Sequence, residues 1–313
     1  MALPEPLWRV FFLNTGDGEA IYIEKADCAF NLLLDGGLAD PTLGGRYPYR
    51  YAISDFLRER AVGRLDILVA SHFHADHVGG LAAVVDSLPV GEFWYGYPPY
   101  EAALALEIAA GPGWSREAVM MIGALGIYRR LLERVRARGI PERRLAAGAE
   151  YAYAGYACRL TCLYPEAKAA AVIGYDRLLR QLAERPDEAG LAAGMKTMNA
   201  ISLALAVDLS GCRLLLPADL PVSLFGPRAF GKYDLLKLAH HGGADGVDED
   251  LLRRLKPGRV VISAAHDSSE FPHPATRDLL ARLGVQVHYT DDQPRRYLEF
   301  AITEKGCHLA SGH

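Results

Sequence analysis

Apolar positions in the first third of the chain fall into short, strand-length runs. Residues 9–14 and 20–24 read as strands on either side of the turn-forming Thr15-Gly16-Asp17-Gly18. Residues 30–34 form an apolar strand that stops at Asp35-Gly36-Gly37. Helical spacing follows over 51–60. The run 65–70 has the character of a buried strand and ends at Ser71-His72. Residues 79–87 predict a helix packed behind that strand, and 92–95 predict another strand.

The middle of the chain changes period. Residues 101–139 carry helical patterning, in which Tyr128, Leu131, Leu132 and Val135 recur at three-to-four spacing and Gly139 gives a stop signal. Residues 151–164 alternate as strands do. Residues 174–194 are helical, with a break at Arg185-Pro186-Asp187. Apolar strands return at 201–207, 212–217 and 235–239. Helices over 248–255 and 274–283 are each followed by a strand, at 260–263 and 285–289, and 297–302 closes the pattern. Two groups of strands with helices interspersed fit two sheets sandwiched between helices better than one parallel sheet.

Composition narrows the class without naming a function. The 313 residues are 50% hydrophobic and 23% charged, which excludes wholesale disorder and leaves ample material for a core. No apolar run reaches the length of a membrane span, and the N-terminus lacks a basic segment followed by an apolar one. A cytoplasmic protein without membrane attachment is therefore expected. The net charge of −4 argues against generic coating of nucleic acid, though a local basic patch remains compatible with it. Five scattered cysteines show no CxxC spacing, so Cys158 and Cys162 read as small buried hydrophobes.

The decisive chemistry lies in Ser71-His72-Phe73-His74-Ala75-Asp76-His77-Val78-Gly79-Gly80, which puts three histidines and an aspartate within six residues, between a buried strand and a helix. Imidazole and carboxylate are ligands for zinc, iron or manganese. His72 and His74, two apart in an extended segment, can chelate one ion, and Asp76 and His77 can turn toward a second. Far down the chain, two more apolar strands end in ligand-type residues, one at Asp219 and one at His240-His241.

His72–His77 is the HxHxDH signature of the metallo-β-lactamase fold. The wider pattern resembles the ComEC-type branch of that superfamily, the metallohydrolase domain of a competence DNA-uptake protein. Residues 13–20 resemble its "DVGQGDA" turn and Leu34-Asp35-Gly36-Gly37 its "IDGG". Residues 215–219 stand where it has "LLTGD", 236–242 resemble "LKVPHHG", and 257–263 with Pro272-His273-Pro274 resemble its "P…VIS…HP" block. The match covers most of the chain as a single domain over 1–313, apart from probable helical insertions near 100–130 and 165–198.

The resemblance implies an α/β fold, a four-layer αβ/βα sandwich, with two divalent metal ions at one edge, zinc favoured and manganese possible. His72 and His74 would bind the first ion, Asp76 and His77 the second, Asp219 would bridge them, and His241 would complete the second. His241 is preferred to His240 because it shares a strand face with Lys237. There are departures. No histidine between His77 and His240 can supply the third ligand that many relatives have for the first ion, and Asn199 sits about where it is expected. Asp35 is a further candidate for the site. Gly243 replaces the usual serine after "HHG", and Asp17 replaces a glutamine.

A hydroxide bridging two cations could attack phosphorus, a thioester, a lactone or a β-lactam. The resemblance tilts the expectation to phosphodiesters, hence a phosphodiesterase or nuclease acting on a small-molecule or nucleic-acid substrate. Hydrolysis of another ester (a lactone, a thioester or a small phosphoester such as phosphocholine) and a non-catalytic metal-bound interaction module are the alternatives. Asp76 belongs to the catalytic set, and His240, His273 and Lys237 are candidates to assist the leaving oxygen. For substrate contact, Trp94, Tyr95 and Tyr97 lie beside Pro98-Pro99, where aromatics could stack a flat group. Arg129, Arg130, Arg134, Arg136, Arg138, Arg143 and Arg144 oppose only Glu133 and Glu142 locally and could track phosphates or simply form a solvated face.

Overall fold

The computed structural model describes residues 5–98, 100–291 and 296–310; Pro99, named above with the aromatic loop, lies outside them. The chain first lays down β1 (Trp8–Leu13), β2 (Ile21–Lys25) and β3 (Asn31–Leu34), then α1 (Ile53–Glu59) and β4 (Leu65–Ala70). Next come α2 (Ala75–Val78), α3 (Leu81–Ser87), β5 (Val90–Tyr95), α4 (Glu101–Leu104), α5 (Arg116–Ala137) and β6 (Glu142–Arg144). The second half supplies β7 (Glu150–Tyr153), β8 (Cys158–Tyr164), α6 (Ala170–Glu184), α7 (Glu188–Thr197), β9 (Ala204–Leu209), β10 (Cys212–Leu216) and β11 (Leu235–Lys237). It continues through α8 (Glu249–Leu255), β12 (Arg259–Ile262), α9 (Pro274–Arg282) and β13 (Val287–Tyr289), and β14 (Tyr297–Thr303) and β15 (Gly306–Leu309) complete it.

Among the described residues the strands form two mixed sheets, ordered β15-β14-β1-β2-β3-β4-β5-β6 and β13-β12-β11-β10-β9-β8-β7. Strand alternation explains the layers. Trp8, Val10 and Phe12 of β1 enter the core between the sheets, with Ile67 and Val69 of β4 and Leu214 and Leu216 of β10. Phe11 and Leu13, Leu68 and Ala70, and Leu215 face the other way into helix-covered cores. Both faces of these strands are thus buried, so they read as continuous apolar runs. Helices outside, two sheets inside: this is the expected four-layer α/β sandwich. No helix among the described residues is long and apolar enough to cross a membrane.

The parallel portions fix where chemistry can gather. Strands β3 to β6 run parallel to one another, as do β10 to β13. Their carboxyl ends deliver Asp35, the His72–His77 loop, Asp219 and His240-His241 to one edge of the sandwich.

Candidate metal centre

Each ligand-type group is aimed by the turn that ends its strand. Asp35, Ala218, His240 and His241 all hold left-handed backbone, with φ of 57°, 50°, 49° and 51°. Such conformations are disfavoured for non-glycine residues, and here they cluster at one sheet edge. Close backbone packing holds the loops together. A Cβ on Gly18 would lie 2.6 Å from the Asp76 carbonyl, and one on Gly80 would lie 2.3 Å from the Gly36 carbonyl.

The donors converge. His77 Nε2 lies 3.3 Å from Asp219 Oδ2 and 3.3 Å from His241 Nε2. His241 Nε2 lies 3.5 Å from both Asp219 Oδ1 and Asp76 Oδ2. His72 Nε2 lies 3.0 Å from His74 Nδ1 and 3.9 Å from Asp219 Oδ2. Donor atoms of His72, His77 and Asp219 lie within 4.8 Å of one another, those of Asp76, His77 and His241 do likewise, and His74 adjoins the first group through His72.

The outer partners settle which nitrogens face inward. His241 Nδ1 donates to the Ser263 carbonyl at 2.8 Å, and His77 Nδ1 donates to Asp35 at 2.8 Å. His74 Nε2 donates to the Met195 carbonyl at 3.2 Å. The opposite nitrogen of each ring therefore turns a lone pair toward the carboxylates and the other imidazoles. Lone pairs at these separations repel unless a cation or added protons sit among them. The protonation equilibria express the same demand. Burial opposes charge on His77 and His241, yet the carboxylates prevail: Asp219 and Asp35 raise His77 well above the usual imidazole range, and Asp219 raises His241 to about 9. Burial, reinforced by the other imidazoles, holds His72 well below that range. Asp219 stays well below the carboxylate range despite its burial, held there by His77 and His241. This donor set fits divalent cations.

Other candidates take different places. Asp35 is not at the centre of the cluster; it accepts from Ser71 N at 2.8 Å and orients His77 from behind. Asn199 lines the cavity above the cluster, and its Oδ1 is buried without a hydrogen-bond partner. His241 joins the cluster, while His240 turns to the cavity wall with Nδ1 donating to Asp245 Oδ1 at 2.5 Å. Strand alternation does not produce this split, because β11 ends at Lys237 and left-handed residues intervene.

Three further expectations need correction. Lys237 is wholly buried behind the cluster in an ion pair with Glu19, so it cannot reach a leaving oxygen in the cavity. His273 caps α9, its Nδ1 accepting from Ala275 N at 3.2 Å, and does not line the cavity. The aromatics after β4 are structural. Trp94 sits between the sheets with Nε1 donating to Glu92 at 2.7 Å, Tyr95 packs beside Phe93, and Tyr97 donates to Asp176 at 3.1 Å. None of the three lines the cavity above the cluster. Part of the arginine face is paired with acids from other elements, as the solvated-face alternative has it: Arg134 with Asp86 at 2.8 Å, Arg136 with Glu101 at 2.9 Å and Glu142 at 3.0 Å, and Arg143 with Glu92 at 2.6 Å.

Two site residues carried no assigned role in the sequence reading. Glu19 brings its carboxylate within 4.8 Å of donor atoms of Asp219 and His241. It was visible only as part of the resemblance to the "DVGQGDA" turn. Asp245, which orients His240, had no signal at all.

The model of the Metallo-beta-lactamase superfamily matches residues 14–266. No curated protein matches the chain. Among solved structures, a mutant of the β-hydroxylase CmlA aligns with a TM-score of 0.52 and 13% identity over 96% of this chain, which spans 55% of that longer one. A candidate metal-dependent hydrolase from Parabacteroides distasonis aligns with a TM-score of 0.45 and 11% identity, over 91% of this chain and 94% of the other. The metallo-β-lactamase-fold protein YhfI from Bacillus subtilis gives 0.47 and 11%, over 90% and 95%.

Proposed function

The chain belongs to the metallo-β-lactamase superfamily of metalloenzymes, and from that premise we propose that it hydrolyses phosphodiester bonds. The observation that carries the reading is the inward-facing donor set shared around Asp219. His72, His74 and Asp219 would hold one divalent cation, with Asn199 Oδ1, buried without a hydrogen-bond partner at the same cavity, a candidate to add to them. Asp76, His77, His241 and Asp219 would hold the other. Two such ions, zinc or manganese, would supply an activated water and offset charge on the phosphate oxygens. The ordered ComEC-type motifs around these residues favour phosphorus over a carbonyl centre.

The protein's own contribution follows from its side chains. Hydrolysis joins a water oxygen to phosphorus and breaks the P–O bond to the leaving group, which must take up a proton. His240 is placed to supply that proton. It lines the cavity, and Asp245 engages Nδ1, which leaves Nε2 for the substrate. Burial opposes its charge, but the Asp245 hydrogen bond and the Asp219 charge raise its pKa above the ordinary value, as suits a general acid near neutral pH. Asp35 and the Ser263 carbonyl hold His77 and His241 in one tautomer, so the donor geometry is set before substrate arrives.

The test is the stripped protein reloaded with zinc or manganese and offered bis-p-nitrophenyl phosphate and a lactone. We expect metal-dependent release of nitrophenol, two bound ions per chain, and loss of activity by about a thousandfold or more in Asp219→Ala, the scale on which removal of charge stabilisation at an active site is felt. Hydrolysis of the lactone alone would transfer the assignment to carboxylic esters. Activity that survives Asp219→Ala would mean a contaminant.

A further inference from the structure

The cavity above the donor cluster has a volume of about 610 Å³, within the size range of small-ligand sites. Its roof comes from α5 and α7. Met120, Gly123, Ala124 and Ile127 recur at helical spacing, so α5 presents one apolar stripe to the cavity. Met195 and Phe271 extend that surface. The stripe is not sealed by protein, since Met120 is 42% exposed. At Gly123 a Cβ would meet nothing within 4 Å, so open space lies against the helix there.

Charge at the rim points the same way. Arg116 and Lys196 face Asp17, Glu117 and Glu270, and Lys196 lies 3.7 Å from Glu117. A polynucleotide needs a row of cations for successive phosphates. Here the rim offers more carboxylates than cations, and the arginines Arg134 and Arg136 on α5 are already paired.

We infer that the substrate is a small phosphodiester bearing a hydrocarbon group that packs beneath α5 and α7, and not a nucleic acid. This rests on the phosphodiester reading above and adds the group on the far side of the scissile bond.

The zinc-loaded protein would be assayed on a series of alkyl p-nitrophenyl phosphates from methyl to hexyl. Each fully buried methylene is worth about fourfold. For a cleft open on one side, kcat/KM should rise by about thirtyfold or more across the series. Gly123→Leu, which gains helix propensity and projects into the open space, should cut the hexyl-to-methyl ratio at least about fivefold without lowering the melting temperature. A flat series, or a single-stranded oligonucleotide cleaved faster than the hexyl ester, overturns the inference and leaves phosphodiester hydrolysis standing. If no diester is cleaved, the phosphodiester reading fails, and binding of methyl- against hexylphosphonate to the same protein by calorimetry still decides this one. Hexyl binding about tenfold tighter supports the hydrocarbon site, and equal affinities overturn it.

Discussion

The floor and the roof of the same cavity are held in different ways. On the floor, His72, His77, Asp219 and His241 are buried, and most have a second partner that fixes ring or carboxylate orientation. On the roof, Met120 and Gly123 are exposed, and Lys196 of α7 lies 3.7 Å from Glu117 of α5 at the rim. Orientation to a fraction of an ångström matters where bonds change, whereas apolar contact tolerates sliding. The floor therefore has the features of the chemical half and the roof those of the selecting half. Changes to the floor should appear in kcat or metal content, and changes to the roof in discrimination between substrates.

The sharpest probe of that division is His240, which stands on the floor outside the metal cluster. His240→Ala should lower kcat by about a hundredfold to a thousandfold with metal content unchanged, the range of general acid catalysis. Asp245→Asn, which removes only the orienting carboxylate, should cost about tenfold. If metal analysis showed an ion lost from His240→Ala, the residue would be a ligand and the proton assignment would pass elsewhere.

Beneath the floor, Glu19 and Lys237 are both fully buried, and their side chains contact each other and make no hydrogen bond elsewhere among the described residues. Glu19→Gln leaves a buried ammonium without its counter-charge. Breaking such a pair costs about 3–5 kcal/mol, or roughly 10 °C in melting temperature for a chain of this size. The double variant Glu19→Gln with Lys237→Met should recover part of the loss. A melting temperature unmoved by the single change would show that the pair carries no charge in the folded protein.

The floor also predicts a pH signature. The folded value for His241 is about 9 against an ordinary 6.5, and His77 shifts in the same direction. A raised value means that protonation favours the folded, metal-free chain. That stabilisation is complete below about pH 6.5 and is lost as the pH rises through about 9. Cations compete with those same protons, so metal affinity should rise over the same interval. Calorimetry with chelator should therefore show a melting temperature several degrees lower at about pH 9.5 than at about pH 7, and with zinc the gap should shrink. A chelated protein equally stable at both would mean that His77 and His241 are neutral in the folded state.

The floor was far more legible in the sequence than the roof, for physical reasons. His72 to His77 are contiguous, and Asp219 and His241 follow apolar strands, so a local pattern locates them. Partnerships between distant segments leave no such trace. Glu19 beside Lys237 emerges only when segments far apart in the chain meet, and Asp245 beside His240 only when the loop after β11 folds back on itself. Alternation picked His241 over His240, but the left-handed turn at the two residues, not strand alternation, is what separates them. It could not say which buried face Trp94 occupies, because both faces of β5 are covered. Strand β6 escaped notice because all three of its residues are exposed and polar, with only pairing to β5 to make it a strand.

The arginines of α5 give the smallest expected effect and the cleanest limit on the roof. Read along the chain they form a basic face, but Arg134 reaches Asp86 and Arg136 reaches Glu101 and Glu142, all at the surface. Exposed pairs of this kind contribute about 0–1 kcal/mol, so Arg134→Ala with Arg136→Ala should shift melting by only a few degrees. Turnover of a small diester should change less than about twofold, because neither residue lines the cavity. Salt is the discriminating variable. A phosphate track loses affinity steeply with ionic strength, by roughly one power of salt concentration for each contact. Paired arginines leave no such slope, so the rate on a small substrate at about 50 mM and at about 200 mM salt should agree within about twofold in both proteins. A steep salt dependence in the unaltered protein that the double variant abolishes would show that those arginines leave their acids to bind a polyanion, and the roof would then have to be reinterpreted as a nucleic-acid surface.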